Sequence, residues 1–157
     1  MQPRTLAAAL LAPMLCAAEP GPALLDTAGP IPLAPAHAPQ LFKQCSRRAP
    51  IGVRDVSIPS SESVAQLEAR ISKFISDVRN AGHAAPLKST QYRGQHAAFR
   101  RGEKEFIYGS YVPSYAAASR PLDGQALVVC DGGAQFWGIV YDPASKQFSE
   151  LALNGPP

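Results

Sequence analysis

The sequence predicts an α+β domain in which one amphipathic helix packs on an antiparallel β-meander of four to five strands. Two observations lead to this class. Apolar residues recur every three or four positions between residues 60 and 82, which is the period of one helix face. From residue 95 onward the period changes to two, and short runs rich in glycine, aspartate or proline separate consecutive strands. A single helix followed by consecutive hairpins favours a helix lying across one face of a sheet.

The predicted helix has clear end signals. Ser60 or Ser61 can cap the first turn, Glu62 suits the positive end of the helix dipole, and Gly82 is typical of a left-handed stop. The apolar stripe consists of Val64, Leu67, Ile71, Phe74 and Val78. The opposite face is charged and is interpreted as solvated; it consists of Glu68, Arg70, Lys73, Asp77 and Arg79.

The predicted strands follow in order. Residues 95–112 form two strands joined by a tight turn at residues 101–103. Three more strands are predicted at residues 125–130, 134–142 and 146–153. The turns between them are predicted at residues 131–133 and 142–145. Gly109 and Gly138 lie inside strands, where glycine marks a bulge or a large side chain packed over the gap. An additional short strand is expected within residues 51–58.

The N-terminus predicts secretion. Residues 1–18 combine Arg4 with an apolar run over residues 6–18, shorter than the ~20 residues that a membrane-spanning helix needs. We interpret them as a signal peptide cleaved between Ala18 and Glu19, so the protein is expected to be periplasmic or secreted. Lipid anchoring through Cys16 is the alternative, although the residues before Cys16 are a poor match to an acylation site.

Residues 19–40 are predicted to be a disordered linker, because they contain six of the 16 prolines and few charges. The single folded domain is then expected over residues 41–155. Without the signal peptide the chain has 14 basic and 12 acidic residues, since Arg4 is lost from the 15. An excess of two positive charges is too small to indicate nucleic acid as a partner.

The mature chain keeps two cysteines, Cys45 and Cys130. In an oxidising compartment an even pair predicts a disulfide. The alternative is a thiol enzyme with Cys130 as nucleophile and His83 or His96 as base, or with Asp131 as an acid, but no local signature supports either. The spacing of histidines, cysteines and carboxylates matches no zinc or calcium site, so no metal or cofactor is predicted and no catalytic residue is assigned.

Both faces of the strand at residues 134–142 are apolar, whereas one helix can cover only one face. The chain before the helix can fold back over the second face. Alternatively, aromatic side chains there form an exposed binding surface for a ligand or another subunit. The candidate residues of that surface are Trp137, Tyr141, Tyr108 and Tyr111.

Several segments together resemble an uncharacterised family of small secreted or periplasmic bacterial proteins and lipoproteins. The segments are FKQCSRR at residues 42–48, EFIYGSYV at residues 105–112 and VVCDGGAQFWGIVYDPASKQFSELALNG at residues 128–155. The resemblance covers most of the predicted domain and includes both cysteines. It implies an envelope protein and carries no reaction, substrate or cofactor.

The function expected from these observations is a secreted or periplasmic non-enzymatic module that binds a protein or another envelope component. Two alternatives stay open: a small hydrolase or thiol enzyme centred on Cys130 and Asp131, and an inhibitor of a cell-wall enzyme. No transmembrane segment is expected after cleavage of the signal peptide.

Overall fold

The computed structural model describes residues 24–82, 91–119 and 123–155, so the predicted signal peptide lies outside the described residues. The predicted α+β class is confirmed: one long helix accompanies a five-stranded antiparallel sheet with the strand order β1-β2-β3-β4-β5. The elements are β1 (Arg54–Ser57), α1 (Ser61–Asn80), β2 (Tyr92–Arg101), β3 (Lys104–Pro113), α2 (Ser114–Ala118), β4 (Trp137–Asp142) and β5 (Gln147–Leu153). Two 3₁₀ helices cover Pro35–Phe42 and Gly133–Gln135.

Helix α1 begins and ends as predicted. The Ser60 side chain accepts a hydrogen bond from the Ser63 amide at 3.1 Å, and Gly82 has a φ of +80°. Leu67, Ile71 and Ile75 are the buried residues of the helix, whereas the outer members of the predicted stripe are only partly buried. The middle turns of the helix, which carry these three residues, therefore pack on the sheet face formed by β2, β3 and β4.

The hairpins β2–β3 and β4–β5 are confirmed, with turns at the predicted Gly102 and Pro143. The predicted strand at residues 125–130 and the hairpin turn at residues 131–133 are wrong. Residues 125–129 belong to no strand, and Gly133 begins a short 3₁₀ helix. Asp131 and Gly133 do adopt positive φ angles, of 60° and 65°, but they lead into this helix and not into a hairpin.

The prediction of a disordered linker is wrong for residues 24–40, while residues 19–23 lie outside the described residues. Leu25 forms a parallel bridge with Tyr92, and the Ile31 amide donates to the Gly94 carbonyl at 2.8 Å. Ala38 and Leu41 are fully buried against the sheet. The fold therefore begins well before residue 41, because this proline-rich segment covers apolar surface and has its backbone groups paired by the sheet.

The predicted disulfide between Cys45 and Cys130 is confirmed. Its neighbours reinforce the connection: the Asp131 amide donates to Ser46 Oγ at 2.8 Å, and the Gly155 amide donates to the Ser46 carbonyl at 2.8 Å. The motif residues around both cysteines and the C-terminal Asn-Gly thus meet at one place. Their arrangement gives the Cys-Asp-Gly-Gly motif a structural role.

Arg47 lies two residues after Cys45, and only 7% of its surface is exposed. Its guanidinium donates to Tyr108 Oη at 2.9 Å, to the Asn154 side-chain oxygen at 2.8 Å and to Ser110 Oγ at 2.6 Å. The planar fork of an arginine can serve several acceptors at once, which suits this junction of β3 with the C-terminus.

Candidate functional site

The predicted aromatic binding surface is not exposed. Trp137, Tyr141 and Tyr111 are 0% exposed, and Tyr108 is 1% exposed. Trp137, Tyr141 and Tyr111 lie under α1, while Tyr108 lies on the opposite face with Leu41 and other residues of the preceding chain. The interpretation of these residues as a ligand surface is therefore wrong, and the alternative in which the chain before the helix covers the second face is correct.

An open pocket lies elsewhere, beside the N-terminal half of α1. Its volume is about 390 Å³. Four parts of the chain line it: residues 30–33, the connection from β1 to α1, the first two turns of α1, and β2. The lining residues are Pro30, Ile31, Leu33, Ile58, Pro59, Ser61, Val64, Ala65, Glu68 and His96.

The pocket forms where β2 extends beyond its neighbour. Strand β1 pairs with β2 only from Ala98 to Arg100, so the first half of β2 has no strand on that side. The segment containing Ile31 occupies this edge through its hydrogen bond to Gly94. The space left between that segment and α1 is the pocket, and His96 on β2 lies beside it.

His96 is 95% buried and lies against Tyr111. The His96 Nε2 atom and Tyr111 Oη form a hydrogen bond of 3.2 Å, with the donor set by the tautomer, and the two rings meet edge to face with centroids 5.7 Å apart. Gly94 makes room for both rings, because a Cβ atom at this position would lie 2.8 Å from each. Glycine on β2 is thus required by the packing of the site.

Glu68 joins His96 at the polar end of the pocket. Its Oε1 atom lies 3.7 Å from His96 Nε2, and 20% of its side chain is exposed. Burial raises the pKa of the Glu68 carboxyl above its usual value. Burial also lowers the pKa of His96 from 6.5 to about 4. At neutral pH the imidazole of this pair is therefore uncharged.

Tyr111 completes this group as a phenol that stays protonated. Burial raises its pKa well above 10, and the nearby Glu68 charge raises that pKa further. The ring stacks on Trp137 with centroids 4.2 Å apart. The site can accept hydrogen bonds from a ligand through Glu68, and it surrounds the rest of that ligand with hydrocarbon.

The other residues that were considered as catalytic candidates do not lie in this site. Cys130 is held in the disulfide and Asp131 is exposed beside it, whereas His83 lies outside the described residues. Within residues 24–82, 91–119 and 123–155, no group of three histidine, cysteine or carboxylate side chains is placed to hold a metal ion. Over the same residues, no helix combines the length and the hydrophobicity needed to cross a membrane.

Comparison with known proteins gave no match. No protein-family model matches the chain, and neither a curated protein nor a solved structure is significantly similar to it. The site therefore has to be interpreted from its own geometry.

Sequence reasoning assigned Glu68 to a solvated helix face and considered His96 only as a partner of Cys130. The sequence does contain one signal, because Gly94 and His96 alternate on β2 and so project from the same face of the sheet. The helix residue that faces them depends on the rotation of α1 about its axis, which the sequence does not specify. Residues 30–33, which form another wall of the pocket, were assigned to the linker. For these two reasons the pocket was not predicted.

The buried histidine predicts a characteristic pH dependence of stability. As the pH falls through 6.5, the unfolded chain binds a proton at His96 while the folded protein does not until about pH 4. The contribution of His96 is therefore fully present above pH 6.5 and decreases as the pH falls toward 4. Between pH 7.5 and pH 5 the expected loss is about 2 kcal/mol of unfolding free energy.

Urea unfolding of the wild type and His96→Gln at pH 7.5, 6.5, 5.5 and 5.0 measures this loss. The difference between the two proteins should change by about 2 kcal/mol across the series, because glutamine does not titrate. Glu68, whose pKa is raised, acts in the opposite direction, since the folded protein binds its proton first, and it is present in both proteins. Parallel curves for the two proteins would show that His96 is not held neutral.

Proposed function

We propose that the protein is a secreted or periplasmic binding module without enzymatic activity, and that its ligand site is the pocket beside the N-terminal half of α1. The observation that carries the proposal is the pocket itself. Its volume of about 390 Å³ falls within the ~300–1,000 Å³ typical of small-ligand sites. Mostly apolar walls with a few polar groups at one end are also typical of such sites.

The compartment is supported by the disulfide between Cys45 and Cys130. Disulfides of this kind persist in oxidising spaces and are rare in reducing ones. The apolar run at residues 6–18 supports the same assignment as a signal peptide. The resemblance to small secreted bacterial envelope proteins adds to this proposal for the compartment and contributes nothing to the choice of ligand.

The alternative of a thiol enzyme has lost its nucleophile, because the Cys130 sulfur is bonded to Cys45. Glu68 and His96 are the pair with displaced pKa values in the pocket, and such pairs occur in active sites. Among the described residues that line the pocket, Ser61 carries the only hydroxyl, and none is a cysteine or lysine that could act as a nucleophile beside the pair. A binding role therefore explains the lining better than a catalytic one.

A pocket-filling substitution tests the proposal. Ala65 lines the pocket and is exposed toward it, so the ring of Ala65→Phe is expected to occupy the space that a ligand needs. The neutral dye N-phenyl-1-naphthylamine should bind the wild type with a rise in fluorescence, and Ala65→Phe should weaken binding at least about tenfold.

Ala69→Phe is the matched control. Ala69 lies one turn further along the helix and lines a separate cavity of about 360 Å³, between α1 and the β4–β5 hairpin. Ala69→Phe therefore fills that cavity and leaves the proposed site open, so this variant should bind the dye as the wild type does. Equal loss in both variants, or equal binding, would place the dye site elsewhere. A wild-type protein that binds no dye would contradict the proposed function.

A further inference from the structure

Among the described residues that line the pocket, Glu68 carries the only charged side chain. Within the described residues, the one basic group within 4 Å of its carboxylate is the His96 ring. His96 is neutral at pH 7, because burial lowers its pKa to about 4. The negative charge of Glu68 thus faces the pocket without a cation to balance it.

Among the described residues, no lysine or arginine of α1 forms an ion pair with Glu68. Lys73 forms its ion pair with Asp77 at 2.8 Å, and both side chains are largely exposed on another part of the helix. A partly buried carboxylate without a counter-charge has lost part of its hydration and is not compensated by an ion pair. A cationic group delivered by a ligand would supply the missing interaction.

The rest of the pocket limits what else that ligand can contain. Ile31, Leu33, Ile58 and Val64 present hydrocarbon, and the prolines at positions 30 and 59 have no backbone N–H to donate. A ligand with several polar groups would leave most of them unpaired against these walls, which costs binding free energy. One cationic end and an apolar body match the distribution of polar and apolar surface.

We propose that the pocket binds a small aliphatic ammonium compound, with the ammonium group hydrogen-bonded to the Glu68 carboxylate and the hydrocarbon chain lying between residues 30–33 and α1. The ammonium can donate three hydrogen bonds, and the bond to a carboxylate is charge-assisted. A fatty acid with a hydrocarbon chain of equal length would bind poorly, because its carboxylate is repelled by the carboxylate of Glu68. This inference rests on the proposed function and specifies the ligand class of the same site.

Three ligands of equal chain length separate charge from hydrophobicity: n-hexylammonium, 1-hexanol and n-hexanoate. Their affinities are measured at pH 7.5 and low ionic strength by competition with N-phenyl-1-naphthylamine. We expect hexylammonium to bind at least about tenfold tighter than hexanol, and hexanoate to bind more weakly than hexanol. The preference should decrease at high salt, although less than for a fully exposed pair.

Glu68→Gln should abolish the preference for hexylammonium and leave the affinity for hexanol within about twofold. Glu62→Gln is the matched control: Glu62 lies on the same helix, is exposed and does not line the pocket, so this variant should keep the full preference. Urea unfolding of each variant establishes that the protein measured is folded.

The outcomes distinguish the two proposals. Equal binding of hexylammonium and hexanol by the wild type, or a preference that survives Glu68→Gln, would overturn the inference while the pocket remained a binding site. If neither the dye nor any of the three ligands binds, the proposed function fails together with the inference.

Discussion

Replacing Arg47 with alanine is expected to lower the free energy of unfolding by about 4 kcal/mol, from three charge-assisted hydrogen bonds worth roughly 1.5 kcal/mol each. The three acceptors are on Tyr108, Ser110 and Asn154, and all three residues are at least 97% buried. Removal of the guanidinium leaves these groups without their donor in a place that water does not reach. Loss of a buried polar network is one of the few mechanisms that give effects of this size.

The measurement is urea unfolding of Arg47→Ala beside Arg48→Ala. Arg48 is the next residue, has the same side chain and is exposed, so its removal should change the unfolding free energy by less than about 0.5 kcal/mol. Arg47→Lys separates charge from geometry. One ammonium cannot reach three acceptors that the planar fork serves together, so lysine should restore only part of the stability. Similar losses in the two alanine variants would mean that the buried network contributes little.

The sequence was sufficient for the elements whose signals are local. Helix α1 has its cap at Ser60 and its stop at Gly82, and the turn at Gly102 joins strands of clear alternation. In each case the residues that decide the structure lie within a few positions of one another, so periodicity and turn chemistry specify the element without knowledge of the rest of the fold.

The segment at residues 125–129 shows where local signals fail. Its apolar residues predict a strand, yet its backbone is paired by amide side chains from other parts of the chain. Leu127 bonds to the side chains of Gln95 and Gln44, and Val129 bonds to those of Gln44 and Asn154. Three side-chain amides thus replace a neighbouring strand. The partners lie 25 to 85 residues away, so no local pattern could indicate them.

The proline-rich segment was misjudged for a related reason. Its composition is typical of a disordered linker, but its carbonyl groups accept hydrogen bonds from β2. Arg93 donates to the Gly29 carbonyl at 3.0 Å, and Gln95 donates to the Pro32 carbonyl at 3.3 Å. Proline lacks a donor but keeps its acceptor, so donors on a neighbouring strand can help to hold a segment rich in proline. The pocket depends on this segment, which is why the sequence did not reveal it.

Replacing both cysteines with serine is expected to lower the free energy of unfolding by about 4 kcal/mol, because the bridge closes a loop of 85 residues. The effect arises mainly in the unfolded chain, whose conformational freedom the crosslink restricts. The folded protein should change little. Gln44 and Ser46, on either side of Cys45, keep their hydrogen bonds to Val129 and Asp131 whether or not the sulfurs are joined.

Thermal unfolding of Cys45→Ser/Cys130→Ser should therefore show a melting temperature lowered by roughly 15 °C, with wild-type far-ultraviolet circular dichroism at 20 °C. Wild-type protein treated with dithiothreitol is the matched control, since both cysteines are exposed and the reductant can reach them. The two samples should melt together. A reduced protein that melts like the oxidised one would show that the crosslink restricts the unfolded chain too little to change the stability. In that case the protein would not need an oxidising compartment to stay folded. The existence of the disulfide would then be the only argument that it contributes for secretion.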